Sequence, residues 1–183
     1  MHFSIIIPTL NNFKYLEVCI NSILKNSSFN HEMIIHLNGN CDQSEKFLKE
    51  KKIKYTKSKN NIGLCSAVNL GAKDSKYDYI LYSHDDMYFL PGWDTNLINE
   101  VNTIGHNNFY FSSTHISSHV SNKGKIEHIV FDAGHNIETF NENKLLENFN
   151  KFEFNDLQGS HWAPHLIHKS LWNKVGGFSE EFN

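Results

Sequence analysis

Short, continuous apolar runs alternating with segments of helical periodicity constrain this chain most. The runs "FSIIIPT", "EMIIHL" and "YDYILYS" occupy residues 3–9, 32–37 and 77–83. Runs of this length without polar alternation are typical of strands buried on both faces of a parallel sheet. Between them, segments such as "NNFKYLEVCINSILKN" repeat apolar residues at helical spacing. The alternation predicts an α/β fold with a mostly parallel sheet flanked by helices.

Individual residues indicate where the predicted helices begin and which face they bury. Asn11 or Asn12 can cap the first helix, and Asp42 and Glu45 have the spacing of a capping box that opens the second. Residues 117–153 are polar and irregular, and they predict a long insertion with one strand, "KIEHIVFDAG", inside it. We expect four residues to form the face of the third helix that packs closely on the sheet: Leu64, Ala67, Val68 and Gly71.

Composition and charge exclude several classes of function. The 183 residues carry a net charge of −3 with no basic block, so non-specific binding of nucleic acid is not expected. No apolar run approaches the length of a membrane span. The three cysteines form no Cys-x-x-Cys pair, which favours a reducing compartment. We therefore expect a cytoplasmic domain without a membrane span.

The candidate site lies where three apolar strands end. The segments "PTLNN", "NGNCD" and "SHDDM" follow the first, second and fourth strands, and ligands bind beyond the carboxyl ends of strands in an open parallel sheet. Asp85 and Asp86 supply hard oxygen ligands suited to Mg²⁺ or Mn²⁺. Such a cation can hold a diphosphate and neutralise its charge. The alternative is structural: Asp86 caps a turn and Asp85 is solvated.

Other chemistries have weaker support. His161 and His165 are four residues apart, but Pro164 lies between them and disfavours a helix that presents both to a zinc ion. No Ser or Cys lies in a nucleophile elbow, so acyl transfer has no support.

Five segments, in this order, resemble the family 2 glycosyltransferases of the GT-A fold, whose first half is Rossmann-like. They are "FSIIIPTLNNFKYLEVCINSIL", "EMIIHLNGNCDQS", "NNIGLCSAVNLGAKDSKYDYILYSHDD", "LPGWD" and "WNKVGGFSEEF". The resemblance covers nearly the whole chain. It implies a nucleotide-sugar donor, a divalent cation (Mn²⁺ or Mg²⁺) and a glycan or other hydroxyl acceptor.

The resemblance also implies roles for individual residues. Eight would surround the donor nucleotide: Pro8, Thr9, Leu10 and Asn11 at the base and ribose, Asn38 in the second-strand loop, and Asn61, Gly63 and Asn69 in the flanking helix. Asp86 would bind the metal, His84 would share in binding the metal or a ribose hydroxyl, and Asp85 would face the ribose or sugar. Asp85 and Asp86 would thus be the catalytic carboxylates of the motif.

The late segment "GSHWAPH" resembles the border of the family's acceptor pocket. Trp162 would offer its apolar face to a sugar ring, and His161 or His165 would offer a polar contact. The alternative is that Trp162 fills the core, as a side chain of that area often does.

Two departures from the family's pattern concern the donor site: Leu37 replaces the usual acid at the end of the second strand, and His84 replaces the first acid of the carboxylate motif. The resemblance places the catalytic base beyond Asn183. We therefore expect residues 1–183 to be a single GT-A domain without its C-terminal acceptor and base segment.

The expected function is an inverting, metal-assisted transfer of a sugar to an acceptor hydroxyl. The alternative is a degenerate or truncated domain that binds nucleotide or glycan without turnover. A sugar-nucleotide-forming nucleotidyltransferase is disfavoured, because "PTLNNFK" contains neither the glycine nor the arginine of a triphosphate-binding loop.

Overall fold

The computed structural model of the protein describes residues 1–119, 128–153 and 163–182. Strands form a six-stranded sheet in the order β3-β2-β1-β4-β8-β5, and a separate pair of very short strands, β6 and β7, forms a second sheet. The strands are β1 (Phe3–Thr9), β2 (Glu32–Asn38), β3 (Lys54–Ser58), β4 (Tyr79–Tyr82), β5 (Tyr110–Ser112), β6 (Ile116–Ser117), β7 (Ile129–Val130) and β8 (His165–His168).

Helices alternate with the strands from β1 to β5, as the sequence predicts for the first half of the chain. They are α1 (Phe13–Asn26), α2 (Asp42–Lys51), α3 (Leu64–Lys73), α4 (Trp93–Ile104), α5 (Glu142–Leu146) and α6 (Lys169–Val175), with 3₁₀ turns at Phe149–Lys151 and Glu180–Phe182. The α/β fold is confirmed. Of the segment "KIEHIVFDAG", in which the sequence predicts a strand, residues 128–134 are described, and within them the strand is limited to β7.

The strand order reverses at β1. The chain runs outward from β1 to β2 and β3, then returns past β1 to β4, and these four strands are parallel. Strand β8 pairs antiparallel with both β4 and β5, so the sheet is mostly parallel, as expected. A reversal of this kind leaves a crevice at the carboxyl ends of the two strands on either side of it, here β1 and β4.

Strand β1 is the centre of the core, and all seven of its residues are buried. Side chains along a strand alternate between the two faces of the sheet. Ile5 and Ile7 accordingly pack with residues of α1, α2 and α4 on one face. Ile6 packs on the other face with Val68 of α3 and Trp172 of α6. Burial on both faces explains why β1 reads as a continuous apolar run.

The close packing of α3 is confirmed, with one correction. Ala67, Val68 and Gly71 are buried, but Leu64 in the first turn is 48% exposed. At Gly71, a Cβ would lie 2.6 Å from Cγ2 of Ile6, which is closer than two carbon atoms can approach. The small residue therefore sets the distance between α3 and the sheet.

Neither Asn12 nor Glu45 makes the capping hydrogen bond that the sequence predicts, and the side chain of Asp42 lies outside the described part of the structure. Asn12 is the residue before α1, but its side chain makes no capping hydrogen bond. Helix α2 begins one residue after Cys41, whose side chain also makes none. The Glu45 carboxylate instead accepts a hydrogen bond from Tyr55 on β3 and pairs with Lys49 and Lys57. In both cases a tertiary partner outcompetes the local backbone.

Asp94 anchors the start of α4. It is fully buried, and its Oδ2 accepts hydrogen bonds from the backbone N–H groups of Ser28 (2.7 Å) and Phe29 (2.9 Å) and lies 3.1 Å from Nε2 of His31. The carboxylate therefore fixes α4 to the loop between α1 and β2. This contact gives the aspartate of "LPGWD" a structural role.

We expect Gly71→Ala to lower the free energy of unfolding by about 1–3 kcal/mol, although alanine is the better helix former, because the added methyl overpacks the contact with Ile6. Urea denaturation measures the change. Leu70→Ala, at the exposed neighbouring position, is the control and should stay within about 0.5 kcal/mol. Equal stability of Gly71→Ala and the wild type would contradict the close approach.

Candidate active site

Asp85 is held at the junction of β1 and β4. Its Oδ2 accepts a hydrogen bond from the Thr9 hydroxyl at 2.6 Å, and its Oδ1 accepts one from the Asn12 side-chain amide at 3.0 Å. The Ser83 N–H donates to the carbonyl of Ile6 at 3.0 Å, which keeps the end of β4 beside β1. The carboxyl ends of β1 and β4 thus meet at one place, as expected for an open parallel sheet.

The two adjacent aspartates have different environments. Both oxygens of Asp85 are engaged and its side chain is partly buried, whereas Asp86 is exposed. The Nδ1 atom of His84 lies 4.0 Å from Oδ1 of the Asp86 carboxylate. The structural alternative had assigned solvation to Asp85 and a cap to Asp86. The observed arrangement is the reverse, and it leaves Asp86 available for a ligand.

Burial raises the pKa of Asp85 above its usual range, and the nearby Asp86 charge acts in the same direction. The hydrogen bonds from Thr9 and Asn12 oppose that shift because they stabilise the ionised form. A cation bound at Asp86 would also favour ionisation of Asp85. The chemistry of the pair therefore fits a divalent cation.

His84 lies beside the carboxylates and packs its ring edge-on against Tyr82, with centroids 5.5 Å apart. Its position allows the imidazole to share a ligand with Asp86. Across residues 1–119, 128–153 and 163–182, no three or more His, Cys, Asp or Glu side chains converge closely enough to hold a metal ion. A cation here would complete its coordination with oxygens of the donor or of water, as Mg²⁺ and Mn²⁺ commonly do.

The other residues expected at the base and ribose line the end of β1. Pro8 is buried within the strand, where it pairs in register with His36 of β2. Leu10 is 42% exposed and Asn11 has a φ of +52° in the turn that leads to α1. The Cδ1 atom of Leu10 would lie 3.4 Å from a Cβ at Gly39, so the turns after β1 and β2 are close neighbours.

Asn38 fastens the loop before α3. Its Nδ2 donates to Oδ1 of Asn61 at 2.9 Å, and its Oδ1 accepts from the backbone N–H of Ile62 at 2.8 Å. Oδ1 of Asn61 also accepts from the N–H of Gly63, which is the residue before α3. The structure therefore brings Asn38, Asn61 and Gly63 together, and their contact with a nucleotide stays a prediction.

Asn69 bonds to the segment after α6 and not to the loop before α3. Its Oδ1 accepts from the N–H of Phe178 at 3.0 Å, and its Nδ2 donates to the carbonyl of Phe178 and to Oε1 of Glu180, both at 2.9 Å. A Cβ at Gly177 would lie 2.5 Å from Oδ1 of Asn69, which explains a glycine there. Asn69 therefore positions the Gly-Gly-Phe segment against α3.

His165 packs between two tyrosines on neighbouring strands. Its ring stacks on Tyr82 of β4 at 5.9 Å and on Tyr110 of β5 at 5.0 Å. Both ring nitrogens of His165 and the hydroxyl of Tyr82 are buried without a hydrogen-bond partner in the described structure. His161 and Trp162, the other residues expected at the acceptor, lie outside the described residues. The acceptor role of all three stays a prediction.

A cavity of about 970 Å³ opens beside Asp86. Aromatic residues form part of its lining, among them Phe89, Trp93, Phe111, Phe131 and Phe140. The lining also includes three residues with hydroxyl side chains, Ser112, Ser113 and Thr114. Apolar faces combined with a few polar groups are typical of small-molecule sites.

Comparison with known proteins decides the family. The sequence model of the family described as "Glycosyl transferase family 2" matches residues 4–175, which is nearly the whole chain. The chain belongs to glycosyl transferase family 2. The resemblance inferred from five motifs is therefore confirmed, and with it the assignment to a family of transferases.

Relatives from Rickettsia agree with this assignment. A protein of Rickettsia bellii (strain RML369-C) named "uncharacterized glycosyltransferase" is 33% identical over 116 residues, covering 61% of this chain and 16% of that protein. One of Rickettsia typhi (strain ATCC VR-144 / Wilmington), also named as a glycosyltransferase, is 36% identical over 104 residues, 55% of this chain and 32% of its own. This chain therefore spans a third or less of those two relatives.

Solved structures of other proteins share the fold. TarS 1–349 of Staphylococcus aureus in complex with UDP-GlcNAc has a TM-score of 0.67 at 17% identity, over 98% of this chain and 49% of its own. The mannosyltransferase PcManGT from Pyrobaculum calidifontis, in complex with GDP-Man and Mn²⁺, has a TM-score of 0.66 at 14% identity, over 98% of this chain and 48% of its own. Likeness at this level of identity shows the GT-A fold. No helix in the described ranges is long and apolar enough to cross a membrane.

Sequence reasoning missed two residues of this family 2 site. Asn12 was considered only as a helix cap, although it belongs to the "PTLNN" segment that ends at the crevice. Tyr82, read as part of a strand, packs its ring against His84, and its buried hydroxyl has no hydrogen-bond partner among the described residues. Its position as the last residue of β4, next to the carboxylate motif, was the available signal.

We expect His165 to make the domain sensitive to acid. Burial lowers the pKa of His165 to about 4, whereas an unfolded chain binds that proton near pH 6.5. A lowered histidine pKa stabilises the fold above pH 6.5, and that contribution is lost as the pH falls from about 6.5 towards 4. His165→Phe, which keeps the ring stack, should therefore show a shallower loss of thermal stability over this range than the wild type.

His106→Phe is the control for that experiment, since His106 is an exposed histidine outside the site. It should follow the wild-type pH profile. Identical profiles for His165→Phe and the wild type would show that His165 does not titrate on unfolding.

Proposed function

We propose that this family 2 domain binds a nucleotide-sugar with a divalent cation and transfers the sugar, with inversion, to an acceptor hydroxyl. The observation that carries the proposal is the different environment of the two aspartates that follow β4. Asp85 is fixed by Thr9 and Asn12, while the adjacent Asp86 carboxylate is exposed at the crevice between β1 and β4. Asp85 holds the strand ends together, and Asp86 is exposed and would bind the cation.

The cation would be held by Asp86, with His84 beside it, and it would stabilise the negative charge that develops on the leaving diphosphate. The chain's own groups orient the donor. The turns after β1 and β2, which include Leu10 and Gly39, form the side of the crevice where the nucleoside would lie. Asp85, held rigidly, would face the ribose or sugar.

The acceptor would enter through the cavity beside Asp86. The aromatic residues of its lining can pack against the apolar face of a sugar, and the lining serines and threonine can form hydrogen bonds with it. We assign the catalytic base to none of the described residues. We also propose a cytoplasmic location, because the three cysteines Cys19, Cys41 and Cys65 are all free thiols.

Turnover of the nucleotide-sugar tests the function. UDP-GlcNAc and GDP-mannose are suitable first donors, since they are the ligands of the two solved neighbours. Release of UDP or GDP that depends on Mn²⁺ and on added acceptor would support transfer. Binding of the nucleotide without turnover by the full-length protein would favour the alternative, a domain that binds but does not transfer.

We expect Asp86→Ala to abolish the Mn²⁺-dependent part of UDP or GDP binding, because it removes the exposed carboxylate. His84→Ala should weaken binding less, because a neutral imidazole contributes less charge than a carboxylate. Calorimetry with and without Mn²⁺ measures both. Asp74→Ala, an exposed aspartate after α3, is the control and should bind as the wild type does. Undiminished metal-dependent affinity in Asp86→Ala would refute the assignment of Asp86.

A further inference from the structure

Two histidines and a serine meet at the end of the small β6–β7 sheet. Nδ1 of His119 lies 3.3 Å from Nδ1 of His135, and Oγ of Ser118 lies 2.9 Å from the former and 3.0 Å from the latter. We call these three side chains the 118–119–135 cluster. None of them belongs to the carboxylate site, and both histidines are exposed to solvent.

Protons alone do not satisfy the three contacts. A ring nitrogen of imidazole carries either one proton or one lone pair, so it cannot donate to one neighbour and accept from the other. The serine hydroxyl has a single hydrogen to give. At least one of the three contacts is therefore left without a full hydrogen bond. A cation among the three atoms would receive a lone pair from each of them.

The separation of the two histidines matches that of two ligands in a tetrahedral metal site. Zinc binds imidazole nitrogen at about 2.0–2.1 Å, so two such ligands at a tetrahedral angle have their nitrogens about 3.3–3.4 Å apart and their ring centroids about 5 Å apart. The observed separations are 3.3 Å between the nitrogens and 4.9 Å between the centroids of His119 and His135. We propose that the 118–119–135 cluster binds Zn²⁺ or a similar cation.

The backbone on both sides of the cluster is already fixed. The carbonyl of His119 lies 2.7 Å from Nε2 of the buried His128, and the backbone N–H of His119 donates to the Ser117 hydroxyl. On the other side, the N–H of His135 donates to the Thr139 hydroxyl at 3.0 Å. Little ordering is then required when a cation binds, which favours affinity.

Asp132 lies on the other side of the His135 ring from the cluster. Its Oδ1 lies 3.8 Å from Nε2 of His135 and accepts a hydrogen bond from the N–H of Gly134 at 2.9 Å. A carboxylate near Nε2 favours a proton there, which leaves the lone pair on Nδ1 to face the cluster. The separation exceeds a hydrogen-bond distance, so the effect of Asp132 on His135 is electrostatic.

The ligand types indicate which cation would bind. Two imidazoles suit Zn²⁺, Cu²⁺ or Ni²⁺, whereas Mg²⁺ and Mn²⁺ prefer carboxylate and water oxygens. This site is therefore distinct in chemistry from the one at Asp86. Ser118 and His135 also line the cavity beside Asp86, so a cation in the cluster would lie on its rim. With two histidines and one hydroxyl, water or an anion would complete the coordination.

Calorimetric titration of the metal-free protein with ZnCl₂ tests the site, with the wild type compared with His119→Ala and His135→Ala. We expect each variant to bind one equivalent of Zn²⁺ fewer than the wild type, or to bind it at least about tenfold more weakly. His106→Ala, which also removes one exposed imidazole, is the matched control and should bind Zn²⁺ as the wild type does. Ser118→Ala should show a smaller loss.

Thermal melts add a second measurement that does not depend on activity. Zn²⁺ should raise the Tm of the wild type and of His106→Ala, since a ligand that binds only the folded state stabilises it, but not the Tm of His135→Ala. Far-UV circular dichroism of the metal-free variants checks that they fold. Equal Zn²⁺ stoichiometry and affinity in the wild type and in all three histidine variants would overturn the proposal. A loss of Zn²⁺ binding in His106→Ala equal to that in His135→Ala would overturn it as well.

Discussion

The two hydrogen bonds to the Asp85 carboxylate join the parts of the chain that the site requires. Thr9 ends β1, Asn12 precedes α1, and Asp85 follows β4, so one side chain ties together three segments. The strand order reverses at this position, where the Ser83 N–H donates to the carbonyl of Ile6 just beyond the end of β4. The side-chain bonds to Asp85 add to that backbone bond, and a carboxylate with two acceptor oxygens can join two donors at once.

Much of the fold could be predicted from the sequence because β1, β2 and β4 are buried on both faces. Burial of this kind leaves continuous apolar runs that pattern analysis detects. The direction of β8 and β5 could not be predicted in the same way, since an antiparallel strand next to a parallel one carries the same pattern. The predicted burial of Leu64 fails for a related reason. Helical spacing shows which residues lie on the same face of a helix, but not where along the helix its contact with the sheet ends.

The site could be predicted at the level of segments, and less well at the level of side chains. The three loops "PTLNN", "NGNCD" and "SHDDM" were identified because strand ends converge in a parallel sheet. Asn12 and Glu45 were assigned to local caps, yet both bond to residues distant in sequence. Asn38 and Asn69 show the same effect, since their amides hold loops of the protein. A short polar side chain has several partners available, and only the tertiary structure selects one.

The replacement of the usual first acid by His84 changes the electrostatics of the motif. Three neighbouring carboxylates would repel one another in the absence of a cation, and each would favour protonation of the others. With an imidazole in the first position, the pair Asp85 and Asp86 carries the negative charge of the motif, and burial already raises the pKa of Asp85. The hydrogen bonds from Thr9 and Asn12 then serve a second purpose beyond tying the strands together. They favour the ionised form of Asp85 when no cation is bound, so the crevice can keep the same geometry before and after a charged ligand arrives.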